Sequence, residues 1–139
     1  MSDKRYDNYL PCQVRNELLL PGESFRLITD YVCPGIYDYY MISNYGRVYH
    51  RYLNQFMSPG IDSNGYYFVM VSTEFGTKHL QIHRMVMIYF GPPIYFINMD
   101  VNHKDGIKDN NHFENLEWMS RSQNIKHAYD NGLHPRGED

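Results

Sequence analysis

The sequence is poor in cysteine, in long apolar runs and in surplus positive charge, and each shortage excludes a class of protein. Its two cysteines, Cys12 and Cys33, do not form a CxxC pair, so we expect ordinary thiols and neither a disulfide framework nor a cysteine-ligated zinc. No apolar stretch approaches the roughly 20 residues that cross a bilayer, and the first residues lack the apolar core of a secretion signal. We therefore expect a cytoplasmic protein without membrane interactions.

Positive charge is scarce for a protein that binds nucleic acid. The 13 Lys and Arg residues against 16 Asp and Glu give a formal net charge of -3, whereas phosphate-binding proteins usually carry a basic surplus. A local basic face or a bound divalent cation can still supply positive charge where a phosphate must lie. The net charge thus argues against nucleic-acid binding without excluding it.

Aromatic and apolar residues, by contrast, are abundant. The hydrophobic fraction is 42% and the aromatic fraction is 16%, with 14 Tyr, which is typical of a folded protein. A length of 139 residues suits one folded unit with a modest core. Residues 1–36 show no clear period, and "NELLLPGESFRLI" within them holds at most one short helix or strand.

Two β-hairpins are predicted over residues 37–79. In "YDYYMISNYGRVYH" the turn residues "SNYG" separate two runs rich in Tyr, Ile and Val. A second hairpin follows, in which Pro59-Gly60 and Asn64-Gly65 mark turns. Gly76 is expected to turn the β-branched and aromatic strand "YYFVMVS" back into "KHLQIH".

A short helix is expected next, in "IHRMVMIYF". Ile82, Met85, Val86 and Tyr89 follow the i, i+3, i+4, i+7 spacing of one helical stripe. Gly91 and the two prolines after it end the helix. The apolar stripe predicts that this helix packs on the sheet.

The last part of the chain reads as strand, loop, strand and helix. "MDVNH" is predicted to be a short strand, "KDGIKDNNHFEN" a polar loop and "LEWMS" a second strand. Ser120 with Gln123 forms a capping box, and Gly132 supplies a stop, so a helix is expected over residues 121–131.

This segment resembles the HNH endonuclease family in its phage and intron-encoded branch. The resemblance rests on "IHRMVMIYF" at residues 82–90 and on "VNHKDGIKDNNHFENLEWMSRSQN" at residues 101–124, many residue types at fixed spacing. Upstream, "YDYYMISNYGRVYH" at residues 37–50 resembles an element that commonly precedes this nuclease module. Together the two resemblances cover most of the chain beyond residue 36.

The resemblance implies an α+β protein in which N-terminal β-hairpins precede a ββα-metal nuclease module, also called a His-Me finger. The expected division is an N-terminal segment, a hairpin element associated with DNA, the nuclease module and a C-terminal tail: residues 1–36, 37–79, 80–132 and 133–139. The activity implied is hydrolysis of DNA phosphodiester bonds, which requires one divalent cation, Mg²⁺ or Mn²⁺.

The resemblance also assigns roles to four residues, and helical spacing adds a fifth candidate. His103 matches the general base that deprotonates an attacking water, and Asn115 matches the residue that ties the loop to the backbone near that histidine. Asn102 and Asn124 match the two metal ligands; an amide oxygen is a weaker ligand for a hard cation than a carboxylate. His127, one helical turn beyond Asn124, is a third ligand, a donor to the transition state or a solvated residue.

Basic residues near this site are candidates for DNA contact. Arg84 either contacts a phosphate or forms a structural ion pair. The other basic residues near the site could form a local basic surface even though the net charge of the chain is negative. The set predicted to bind DNA is Arg47, Arg84, Lys104, Lys108, Arg121 and Lys126. The expected partners are DNA and possibly a phage or host protein that supplies targeting, in the cytoplasm of a phage-infected bacterium.

Two other classes of function remain open. One is a DNA-binding or regulatory module that keeps the fold without the activity, and the other is a structural protein of a virus particle or replication complex. If the protein is a nuclease, a monomer with one active site favours nicking, and a homodimer allows a double-strand cut. No helix-turn-helix follows the nuclease unit before Asp139, so low or moderate sequence specificity is expected, unless the hairpins or a partner supply recognition.

Overall fold

Antiparallel hairpins make up most of the computed structural model, which describes residue 6 and residues 8–92 and 99–120. Within those ranges the chain forms nine β-strands and one α-helix. The strands fall into three sheets of four, three and two strands. The expected fold class, with hairpins ahead of a mixed helix and strand unit, is confirmed.

The first sheet contains the hairpin predicted from "SNYG". Its strands, in spatial order, are β1 (Phe25–Leu27), β2 (Tyr40–Ser43), β3 (Val48–His50) and β4 (Gln55–Phe56). The turn between β2 and β3 is held by the Ser43 hydroxyl, which accepts from the backbone N–H groups of Tyr45 and Arg47, each at 3.1 Å. Residues 1–36 therefore contribute more than one element, because they supply β1 and a 3-10 helix at Asn16–Leu18.

The second sheet consists of β5 (Gly60–Ile61), β6 (Tyr67–Thr73) and β7 (Gly76–Gln81). The predicted turn at Asn64-Gly65 joins β5 to β6, and Gly65 has a φ of +85° that favours glycine. The turn predicted at Pro59-Gly60 is wrong, since Gly60 begins β5 and pairs with Phe68. Gly60 has a packing role instead, because a Cβ there would lie 2.7 Å from the Phe68 ring.

The predicted helix is present as α1 (Ile82–Phe90). Its apolar stripe is buried at Ile82, Met85 and Val86, and the N–H of Gly91 closes the helix on the carbonyl of Met87. In the described part of the chain, no helix is long and apolar enough to cross a membrane.

The third sheet pairs β8 (Met99–His103) with β9 (Leu116–Ser120), the two strands predicted on either side of the polar loop. One buried cluster joins the three sheets and α1, with members from Ile28 in the N-terminal segment to Leu116 in β9. This continuous core agrees with one folded unit. The helix expected over residues 121–131 and the tail at 133–139 lie outside the described residues, and the proposed domain boundaries stay predictions.

Candidate active site

His103 lies at the last position of β8, with its side chain turned into the protein. The residue is 4% exposed, and because side chains alternate along a strand, it shares the buried face with Val101. The His83 ring of α1 lies 5.1 Å from the His103 ring, and the Tyr66 ring stacks on His83 at 4.6 Å. The rings of His83 and Tyr66 therefore lie beside His103, and its imidazole is held in a nearly dry environment.

One ring nitrogen of His103 has a buried partner. Its Nε2 lies 2.8 Å from the side-chain oxygen of Asn111, and Asn111 is itself 6% exposed. Burial lowers the pKa of His103 below its ordinary value, and this outweighs the hydrogen bond with Asn111 and the nearby charge of Asp105, which raise it. The imidazole is therefore neutral at pH 7, the form that can accept a proton.

The loop between β8 and β9 is organised by Asn115. Its side-chain nitrogen donates to the Asp105 carboxylate at 3.0 Å and to the carbonyl of Asn110 at 2.9 Å, and its backbone carbonyl accepts from the N–H of Lys104 at 2.8 Å. Gly106 turns the chain at a φ of +74° and donates to the carbonyl of His103 at 2.9 Å. Asn115 thus joins residues of the loop to one another and to the backbone beside His103, and its role in the site stays a prediction.

Asn102 points to the other face of β8 and faces Glu117 directly across the sheet. Its Nδ2 donates to the Glu117 carboxylate at 2.9 Å. Because the nitrogen of the amide is engaged, its oxygen points away from Glu117. Asn102 therefore presents one oxygen, backed by a carboxylate, at the position predicted for a metal ligand.

The predicted metal site extends beyond what the structure describes. Within residues 8–92 and 99–120, no three His, Cys, Asp or Glu side chains come together to hold a metal ion. The donors at hand, the Asn102 amide and the Glu117 carboxylate, are oxygens, which suit Mg²⁺ or Mn²⁺ better than Zn²⁺. Asn124 and His127 lie outside the described residues.

Two of the predicted DNA-binding arginines contact protein groups. Arg47 donates through Nε to the Glu23 carboxylate at 2.9 Å and through a terminal nitrogen to the carbonyl of Leu18 at 2.7 Å. Arg84 donates to the carbonyl of Met99 at 2.8 Å, which joins α1 to β8. The structure assigns both a structural contact, and their binding to DNA stays a prediction.

The lysines of the loop differ in their surroundings. Lys108 donates to the carbonyl of Asn64, and its ammonium lies 4.6 Å from the centre of the Tyr66 ring. Lys104 is exposed beside the site. Arg121 and Lys126 lie outside the described residues. Lys104 is therefore the predicted DNA contact whose side chain the structure leaves at the surface.

Three residues beside the predicted site received no role from the sequence. They are His83, Asn111 and Glu117. Asn111 belongs to the conspicuous "NN" pair, but that pair alone does not show which asparagine reaches the histidine. Glu117 could have been found from strand pairing, because it faces Asn102 once β8 and β9 are aligned from the turn outward.

Comparison with known proteins supports the family resemblance. A sequence family described as HNH endonuclease matches residues 80–126. A DNA endonuclease of Bacillus phage SP01, I-HmuI, is 33% identical over 98 residues, which are 70% of this chain and 56% of that protein. An uncharacterized HNH endonuclease of Acanthamoeba polyphaga mimivirus is 40% identical over 89 residues, 63% of this chain and 26% of that protein.

A solved structure gives the same result for the fold. The I-HmuI chain, in a structure of DNA binding and cleavage by that HNH homing endonuclease, matches with a TM-score of 0.67 and 30% identity. The match covers 78% of this chain and 59% of the I-HmuI chain. The present chain thus spans between about a quarter and just over half the length of these relatives.

Proposed function

We propose that this chain is a metal-dependent DNA endonuclease, because its residues 80–126 match the HNH endonuclease family. The observation that carries the proposal is the buried imidazole of His103, whose Nε2 lies 2.8 Å from the Asn111 oxygen and whose pKa is lowered by burial. Such a group is suited to accept a proton at its other nitrogen. DNA enters the proposal through the family and through I-HmuI, a DNA endonuclease by name.

In the proposed reaction, His103 takes a proton from a water molecule as the water oxygen attacks the phosphorus. The bond between phosphorus and the 3′ oxygen breaks and the leaving oxygen takes a proton from solvent, so one product carries a 5′-phosphate and the other a 3′-hydroxyl. General-base assistance of this kind contributes about 10² to 10⁴ in rate.

The cation site is proposed to consist of Asn102 and Asn124. The fit to Mg²⁺ or Mn²⁺ rests on the oxygen donor of Asn102, whose nitrogen is engaged by Glu117 at 2.9 Å. A bound cation would stabilise negative charge on the phosphate and on the leaving oxygen. Asn115 acts by holding the loop beside His103, and His127 is proposed as a further group of the site.

The test is the conversion of supercoiled plasmid in Mg²⁺, in Mn²⁺ and in EDTA. An endonuclease yields open circles or linear DNA with either metal and leaves the plasmid intact in EDTA. A monomer with one site yields open circles first, whereas a homodimer with two sites would give linear product directly. Intact plasmid in all three conditions, with DNA retarded in a gel, would contradict the proposal.

A specific observation favours a second candidate, a DNA-binding module without activity. The position predicted for a metal ligand holds Asn102, whose amide oxygen binds a hard cation more weakly than a carboxylate does, which lowers the cation affinity that cleavage needs. The plasmid assay separates the two candidates, because a binding module retards DNA in either metal and cuts in neither.

Replacing Glu117 with alanine is expected to weaken Mn²⁺ binding by about 10- to 100-fold, the usual loss when a partner of a metal ligand is removed. The reason is that Glu117 fixes the orientation of the Asn102 amide through a 2.9 Å hydrogen bond. The measurement is the free Mn²⁺ concentration by electron paramagnetic resonance, without DNA. Glu114→Ala removes the same charge from an exposed position nearby and should bind Mn²⁺ normally.

Glu117→Gln separates orientation from charge. Its side-chain oxygen can still accept from Asn102, so an orienting role predicts a smaller loss than in Glu117→Ala. If Glu117→Ala bound Mn²⁺ as tightly as the wild type, the place of Asn102 in the cation site would be in doubt.

Replacing Lys104 with alanine is expected to weaken DNA binding and to reduce the slope of log affinity against log salt by about one. Lys104 is exposed beside the site, so it can reach a phosphate without breaking a protein contact. Fluorescence anisotropy over a range of KCl concentrations, in EDTA, measures both effects. Lys104→Arg keeps the charge and should keep the slope; an unchanged slope in Lys104→Ala would show that this side chain does not neutralise a phosphate.

A further inference from the structure

We propose that Asn111 is the positioning residue of His103, and that the turn between β2 and β3 keeps Asn111 in place. The upstream hairpin is then a working part of the site and not a separate binding element. This inference rests on the proposed function of His103 as the base.

The hydrogen bond between the two side chains defines which nitrogen of His103 carries the proton. A carboxamide oxygen only accepts, so the Nε2 that lies 2.8 Å from the Asn111 oxygen must be the donor. The neutral ring therefore has its lone pair on Nδ1, the nitrogen that can take a proton from water. Both residues are buried, at 4% and 6% exposure, so water does not readily replace Asn111 as the partner.

Asn111 packs closely against Gly46 in the turn between β2 and β3. A Cβ on Gly46 would lie 2.6 Å from the Cβ of Asn111 and 3.2 Å from its carbonyl oxygen. Gly46 also has a φ of +86°, which disfavours other residues. Any side chain at position 46 would therefore displace Asn111 or the turn itself.

Two flanking contacts keep the turn and the loop together. The N–H of Phe113 donates to the carbonyl of Asn44 at 2.9 Å, and the rings of Tyr45 and His112 meet edge to face at 4.3 Å. Three consecutive residues of the turn, 44–46, thus contact three consecutive residues of the loop, 111–113. The contacts explain physically why "SNYG" accompanies the nuclease segment in this chain.

The first test reads the tautomer of His103 directly. In ¹⁵N-labelled protein, the imidazole nitrogens report which one is protonated, and His103→Ala identifies the signal. We expect the Nε2–H form in the wild type, its loss in Asn111→Ala and its return in Asn111→Asp, whose carboxylate also accepts. An Nδ1–H form in the wild type, or an unchanged spectrum in Asn111→Ala, would overturn the proposal.

The second test uses a pair of matched glycines. Gly46 and Gly76 both have a positive φ, +86° and +109°, but a Cβ on Gly76 meets nothing within 4 Å. Both alanine variants therefore share the backbone strain, and only Gly46→Ala pushes on Asn111. We expect Gly46→Ala and Asn111→Ala to lower the single-turnover cleavage rate by about 10- to 100-fold, as small misplacements do, with DNA affinity unchanged, and Gly76→Ala to cleave normally.

The outcomes distinguish this inference from the proposed function on which it rests. If His103→Ala is strongly impaired while Asn111→Ala and Gly46→Ala cleave at the wild-type rate, the positioning role of Asn111 is contradicted and the role of His103 as the base is retained. If His103→Ala cleaves normally, the proposed function itself falls. If Gly46→Ala fails to fold, the tautomer of the His103 ring in Asn111→Ala still tests the positioning role.

Discussion

Replacing His103 with alanine is expected to lower the single-turnover rate of DNA cleavage by about 10² to 10⁴, the usual contribution of a general base. The physical reason is that the variant lacks the imidazole proposed to take the proton from water. In the wild type, Nε2 of that imidazole lies 2.8 Å from the Asn111 side-chain oxygen. DNA affinity should stay within a few-fold, because the buried ring, at 4% exposure, contributes little to the surface that DNA would meet. Rapid-quench kinetics at saturating protein measure the chemical step.

His79→Ala provides the matched control for that variant. His79 lies on β7 and is exposed, with its ring stacked on Phe68 at 4.0 Å. It should cleave at the wild-type rate. Circular dichroism of His103→Ala checks that the cavity left by the ring has not unfolded the protein. A folded His103→Ala that cleaves as fast as His79→Ala would exclude His103 as the base.

Replacing Arg47 with alanine is expected to lower the free energy of unfolding by about 3 kcal/mol, the lower end of the range for breaking a buried ion pair. The Glu23 side chain is fully buried while Arg47 keeps 31% exposure, so the variant leaves a buried carboxylate without its partner. Urea denaturation measures the loss. The Arg15 and Glu17 pair at 3.5 Å is largely exposed, so Arg15→Ala should change stability by less than about 1 kcal/mol.

The same pair makes stability depend on pH. Burial raises the pKa of Glu23, but hydrogen bonds from Arg47, the N–H of Leu20 and the Ser43 hydroxyl outweigh it and hold the pKa below its ordinary value. A lowered folded-state pKa means that the stabilisation is present above the ordinary glutamate pKa and is lost as the pH falls through the folded value. The Arg47→Ala protein should lose that acid dependence.

A different outcome for Arg47 would support its predicted contact with DNA. If Arg47→Ala were as stable as the wild type but bound DNA more weakly, the arginine would act at the DNA surface. Loss of stability with unchanged DNA affinity would assign it to the fold alone.

The hairpins and the strand, loop and strand unit could be predicted because their signals are local. "SNYG" and Asn64-Gly65 contain residues that turns require, and the apolar stripe from Ile82 has a helical period. The exception, Pro59-Gly60, combines two turn-forming residues, yet Gly60 is small because the Phe68 ring packs on it, with 2.7 Å between that ring and a hypothetical Cβ. Composition alone cannot distinguish a glycine that turns the chain from one that makes room.

The partners of the site residues could not be predicted, since they depend on contacts far apart in sequence. Glu23 pairs with Arg47 from a segment without periodicity, and Gly46 meets Asn111 across 65 positions of sequence, as their numbers show. The motif selected His103 and Asn102 as candidates, but their partners follow only from the register of β8 with β9 and from the packing of the loop on the turn. A motif therefore indicates a candidate residue more readily than the residues that contact it.

Cleavage in oxygen-18 water tests most directly whether His103 activates water for attack on a DNA phosphate. Under single-turnover conditions with Mn²⁺, we expect mass spectrometry to find one oxygen-18 atom in the 5′-phosphate of the wild-type product, and we expect His103→Ala to form that product about 10² to 10⁴ times more slowly. A 5′-phosphate without oxygen-18 would contradict attack of water on the phosphorus. DNA that is bound but never cut would show that the chain is a binding module.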